Sequence, residues 1–182
     1  MQWLSQFIYF KILGWKVVGN TNVSKDTYKK AVLIVAPHTS WHDFYMAILL
    51  RSVLKVKTHF LGKKELFVFP IGWFFRALGG SPLDRYNKSG MVKEVASMFA
   101  GKDEYRIGLA PEGTRKKVIQ WRTGFYYIAK EAQVPIIMFT FDFKNKQNKI
   151  SEPFFTTDDV DADFKFMSQF YEGVEGKVSK LS

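Results

Sequence analysis

Six consecutive apolar residues, Ala31–Ala36 (Ala-Val-Leu-Ile-Val-Ala), stopped by Pro37, constrain this chain more than any other segment. A strand with one wet face alternates apolar and polar side chains. An unbroken, β-branched run is instead the pattern of a strand covered on both faces, as in parallel sheets. Covering layers require helices, and the sequence supplies them. Helical spacing of apolar residues predicts helices over Trp41–Lys55, Lys88–Ala100, Thr123–Gln133 and Asp158–Lys177, the last with aspartates at its start, where the helix dipole favours them. Strands are predicted at Lys57–Leu61, Tyr105–Ala110 and Val134–Phe143. A further strand is expected near Ile150–Phe155, after turn residues Asn145–Asn148. Strands alternating with helices define an α/β fold: a single layered domain over residues 1–182, with a mixed, mostly parallel sheet flanked by helices.

Ahead of this core, residues 1–20 carry Trp3, Leu4, Phe7, Ile8, Ile12 and Trp15 on a broad apolar face. A membrane-spanning helix needs about 20 mostly apolar residues, and Lys11 and Lys16 interrupt the run. The expectation is an amphipathic helix at a membrane interface, with Trp3, Phe7 and Trp15 as contacts, or one that docks on the protein's own core.

Charge narrows the partners. Residues 1–150 hold 24 basic and 10 acidic side chains, a net +14, whereas residues 151–182 hold 3 and 7, a net −4. The basic body calls for an anionic partner: nucleic acid, an anionic membrane surface or a phosphorylated substrate. The chain has no cysteine, which excludes disulfides, thiolate nucleophiles and cysteine zinc sites and fits a reducing compartment.

Three segments carry candidate chemistry. Pro37-His-Thr-Ser-Trp-His-Asp43 follows the first buried strand, where α/β sheets bind ligands. On one continuous helix His38 and Asp43 would point about 140° apart. They meet only if His38 lies in a turn and Asp43 in the first helical turn, a break that Pro37 and Ser40, a candidate N-cap, favour. Asp43 would then orient the imidazole as a general base. The residues alone leave other readings open: hydrogen-bonded loop residues, a metal site using His38 and His42, or Ser40 as a nucleophile. Leu109-Ala-Pro-Glu-Gly-Thr-Arg115 ends another predicted strand in a turn with an arginine suited to phosphate, or in an ordinary tight turn. Lys116 and Lys117 extend that basic patch. Lys63-Lys-Glu-Leu66 precedes nine uncharged residues, Phe67–Phe75, and then Arg76. Such a stretch suits a ligand with an apolar tail and an anionic head, or a core segment. Pro70 and Gly72 predict a loop or broken helix there.

Taken in order, His38-x-x-x-x-Asp43, Gly79-Gly-Ser-Pro-Leu-Asp-Arg85, Pro111-Glu-Gly-Thr-Arg115 and Val134-Pro-Ile-Ile resemble the glycerophospholipid acyltransferase family, best known for its lysophosphatidate acyltransferases. The resemblance covers roughly residues 31–140. It implies an α/β enzyme at the cytoplasmic side of the cell membrane, peripheral or monotopic. His38 would be the base on an acceptor hydroxyl and Asp43 its orienting partner. Arg85 and Arg115 would bind anions, helped by Lys63 or Lys64, and Glu112, Gly113 and Thr114 would shape the loop beside the base. The acyl group would come directly from acyl-CoA or acyl carrier protein, with neither an acyl-enzyme nor a cofactor nor a metal. The acceptor would be a lysophospholipid, most simply 1-acyl-glycerol-3-phosphate. Ala110, Met138 and His42 depart from the family pattern, which leaves room for another lysolipid or an amino-acid lipid. A metal-dependent hydrolase and a basic RNA- or lipid-binding module are the competing functions; the acyltransferase reading implies no nucleic-acid partner.

Overall fold

A computed structural model describes residues 2–24, 28–83 and 90–182. Its seven-stranded sheet has the order β1-β7-β6-β2-β5-β3-β4. The strands are β1 (Lys16–Gly19), β2 (Lys30–Ala36), β3 (His59–Lys63), β4 (Gly80–Leu83), β5 (Tyr105–Leu109), β6 (Ile136–Thr140) and β7 (Gln147–Ile150). Every pairing is parallel except β6 with β7. The helices are α1 (Gln2–Gln6), α2 (His42–Leu54), α3 (Gly72–Ala77), α4 (Met91–Ser97), α5 (Gly124–Ala132) and α6 (Val160–Phe170).

The apolar run is the central strand β2, and it is buried on both faces as expected. Val32 and Ile34 pack with Ile107, Ile136 and Met138 beneath α4, α5 and α6. Ala31 and Leu33 pack with Ile137 and Phe139 beneath α2, against Met46, Leu50 and Val53. Successive strand residues alternate faces, so one uninterrupted run feeds two cores. Helix ends follow local chemistry. Asp159 caps α6 by accepting from the Ala162 N–H at 2.9 Å. Lys55 closes α2 in the left-handed conformation (φ 57°).

Three expectations are corrected. Residues 1–20 do not form one helix: α1 gives way to a wider π-type turn, Phe7–Ile12, and then to strand β1. That turn points Tyr9 inward, where its hydroxyl donates to Asn148. Trp15 is only 6% exposed and packs edge-on against Phe141 and Phe143, so it belongs to the core and not to a membrane contact. The late strand begins three residues early, at Gln147. Asp142 gathers the Asn145 N–H and side-chain amide and Lys146 adopts φ 48°. Residues 143–146 thereby complete the turn alone, and Phe154 contributes one bridge, to Ile136.

One edge of the sheet is loosely joined. β2 shares five residue pairs with β5, but β3 shares two, His59–Ile107 and Phe60–Gly108. Beyond them β3 pairs with β4 alone.

Candidate active site

The chain leaves β2 at Ala36, turns through Pro37–Trp41 and enters α2 at His42, with Trp41 and not the expected Ser40 at the N-cap position and no side-chain cap. This break brings His38 and Asp43 together as the sequence predicts: His38 Nδ1 donates to Asp43 Oδ2 at 2.9 Å. The same oxygen accepts the N–H groups of Thr39 and Ser40, each at 2.9 Å. Asp43 is 2% exposed and the His38 side chain 25%, so the carboxylate is sequestered while the imidazole still reaches open space. With Nδ1 committed, Nε2 is the nitrogen left for substrate.

The loop after β5 supports this pair from behind. Glu112 Oε1 accepts the His38 backbone N–H at 3.0 Å. Burial pushes the Glu112 carboxyl above the ordinary carboxylate range, and that hydrogen bond opposes the shift. From the other side, Thr39 Oγ1 accepts the Val178 N–H at 3.1 Å, clamping the loop with the C-terminal segment.

His38 and Asp43 line a cavity of about 1640 Å³. Its rim carries Lys63, Arg115, Lys116 and Arg122, with one carboxylate, Glu65; its depth is apolar, including Leu33, Phe44, Leu109 and Phe139. Gly113 and Thr114 also face the cavity. Glu112 is not on its wall, so its place is behind the base, holding the backbone rather than touching a ligand. Lys64 is exposed and lies beyond the wall. Arg85 falls outside the described residues.

Among the described residues, no three His, Asp or Glu side chains converge as around a cation. His42 Nδ1 faces the Ser40 hydroxyl at 2.8 Å, so Ser40 and His42 pair with each other and not with His38.

Arg122 is a rim cation that sequence reasoning missed. Its backbone N–H donates to the Pro111 carbonyl at 2.9 Å. Its side chain crosses Gly113, where an added Cβ would stand 2.7 Å from the Arg122 Cδ and Nε. Gly113 also has φ +64°, so glycine serves both the turn and the crossing. Nothing in the sequence spacing links residues 113 and 122; only the returning loop does. The C-terminal clamp on Thr39 was equally invisible.

A layered α/β domain with a His-Asp pair at the end of its central strand and a cationic rim over an apolar cavity defines a class, and sequence comparison agrees: the chain belongs to the acyltransferase family, whose family model (Acyltransferase) matches residues 14–141. It is similar to the 1-acyl-sn-glycerol-3-phosphate acyltransferase of Streptococcus pneumoniae (strain ATCC BAA-255 / R6), with 32% identity over 136 residues, covering 71% of this chain. The chain spans about half the length of that relative, 50%. No solved structure matches it.

Proposed function

We propose that the chain transfers a fatty acyl group from a thioester donor, acyl-CoA or acyl carrier protein, to the hydroxyl of a lysophospholipid at a membrane surface. The acceptor favoured by the rim cations is 1-acyl-glycerol-3-phosphate. The observation that carries the reading is the His38 Nδ1–Asp43 Oδ2 hydrogen bond of 2.9 Å on the wall of a cavity with a cationic rim and an apolar depth.

In this mechanism His38 Nε2 takes the proton of the acceptor hydroxyl as the oxygen attacks the thioester carbonyl carbon. The tetrahedral intermediate collapses with cleavage of the C–S bond, and the imidazolium returns its proton to the departing thiolate. Asp43 fixes the ring tautomer and stabilises the imidazolium while that charge exists. Thr39 and Ser40 N–H are occupied by Asp43, so the donor to the oxyanion comes from elsewhere on the wall. Arg115 and Arg122 grip the phosphate by charge-assisted hydrogen bonds, with Lys63 and Lys116 adding charge, while the acyl chains occupy the apolar depth. The chain itself needs no cofactor in this scheme. Among the described residues no helix is long and apolar enough to cross a membrane, which suits attachment to one leaflet. A basic body favours the anionic, cytoplasmic face.

The test is an acyl-transfer panel crossing both donors with lysophosphatidate, glycerol 3-phosphate and phosphate-free lysolipids. Wild type is expected to acylate lysophosphatidate. His38→Ala should lose about 10²–10⁴-fold or more in kcat with an unchanged circular dichroism spectrum. Turnover retained in that variant overturns the mechanism, and no transfer by wild type with any pair overturns the function.

A further inference from the structure

The segment joining β3 to β4 exposes Leu66, Val68, Phe69, Ile71, Trp73 and Phe74, with Phe69 94% and Trp73 69% exposed. Contiguous apolar surface of this kind on a water-facing protein marks an interaction site. It is not a loose loop. Phe67 points inward and is buried, a Cβ on Gly72 would stand 2.2 Å from its carbonyl oxygen, and Arg76 Nη1 donates to that oxygen at 3.0 Å. The segment is folded around Phe67 so as to turn its aromatic side chains out.

Three further observations identify what meets them. First, the segment adjoins the site: Lys63, Glu65, Leu66 and Phe75, at its two ends, line the active-site cavity. Second, exposed cations Lys63, Lys64 and Arg76 flank the aromatics, an arrangement that pairs apolar insertion with anionic head groups. A second copy of the chain would oppose like charges across the same face. Third, the apolar N-terminal surface, with Trp3, Leu4, Phe7, Phe10 and Ile12 exposed, is tied to the same end of α2. Ser52 Oγ donates to Ser5 Oγ at 2.9 Å, and its neighbour Arg51 donates to the Leu78 carbonyl just after α3.

We propose that the Leu66–Phe74 face inserts into the interface of an anionic lipid bilayer and seats the mouth of the cavity on the leaflet, with the N-terminal surface as the second, flanking anchor. This inference rests on the acyltransferase reading for its purpose but not for its measurement. An acceptor would then enter from the leaflet without its chain crossing water, where each methylene costs about 0.8 kcal/mol.

The experiment compares the full-length wild type with the double variant Phe69→Ser/Trp73→Ser, neither residue lining the cavity. Binding is read by co-sedimentation with mixed phosphatidylcholine–phosphatidylglycerol vesicles. The double variant is expected to bind at least about tenfold more weakly, to unfold at the same urea concentration, and to turn over a water-soluble, short-chain acceptor as wild type does. Quenching of tryptophan fluorescence by bromine-labelled lipid should fall in Trp73→Phe. Vesicle binding equal to wild type in the double variant overturns the proposal, as does a wild-type dimer by light scattering that the same substitutions dissolve. Vesicle binding by a wild type that acylates nothing would sink the proposed function and leave this surface standing. Efficient acylation by a wild type that ignores vesicles does the reverse.

Discussion

Two regions flank one cavity and are built by opposite rules. In the loop after β2, one oxygen of each carboxylate carries the bonding: Asp43 Oδ2 takes three hydrogen bonds and Glu112 Oε1 takes the His38 N–H, while Thr39 takes the Val178 N–H. In the Leu66–Phe74 face, six large apolar side chains meet solvent and one buried ring, Phe67, holds the shape. The first region is costly to perturb, because removing a partner strands a buried polar group. The second tolerates polar substitution without loss of fold, because its side chains bury little. On the proposed reading, the contrast separates chemistry, which needs geometry, from attachment, which needs apolar area.

The sharpest way to break this comparison is Asp43→Asn. An amide oxygen in the Oδ2 place still accepts from the ring and the two N–H groups but carries no anionic charge to stabilise an imidazolium, and the amide NH₂ then buries a donor at the Oδ1 position, which has no partner. Turnover should drop by about 10²-fold or more, with a stability loss of about 1–3 kcal/mol, measured by steady-state kinetics and urea unfolding. Wild-type behaviour would show that the buried bonds are incidental. Next in size, Arg122→Ala tests where the rigid region ends. KM for phosphate-bearing acceptors should rise about tenfold with kcat little changed, while phosphate-free acceptors are unaffected. An equal loss on both would mean that Arg122 only braces Gly113.

The smallest effect concerns Glu112 and has a defined sign. Burial raises its folded-state pKa, so the folded chain holds this proton to higher pH than the unfolded chain. Stability therefore falls as pH rises from the ordinary carboxylate value through the raised one. Glu112→Gln keeps the oxygen that accepts the His38 N–H and cannot ionise. Its urea midpoint relative to wild type should climb as pH rises from the ordinary carboxylate value, about 4, through the range in which the buried carboxyl loses its proton. A constant difference across that range would show that the carboxyl titrates normally.

The same contrast explains what the sequence made legible. Ala31–Ala36 announced a doubly covered strand because burial on both faces leaves no room for polar alternation. His38 and Asp43 could be paired because Pro37 forces a turn and the next residues start a helix. Arg122, Val178 and the role of Glu112 were hidden, since each acts through a contact set by the folding of distant loops. Trp15 misled because amphipathic spacing does not distinguish a membrane from the protein's own core; Gly14 at φ +68° and the π-type turn before it decide that it points inward. The β7 boundary was missed because Asn and Lys residues that look like turn chemistry also begin a strand, here one held between β1 and β6, once Asp142 closes the turn.

The two-rung seam between β3 and β5 has a mechanical consequence. The outer flank, carrying Phe69 and Trp73, is stitched to the reactive half by far fewer backbone bonds than join β5 to β2. Weakly stitched units are the first to part in local fluctuations. A bilayer contact of the kind proposed for that flank would spend its strain along the seam, leaving the imidazole with its carboxylate on the quieter side.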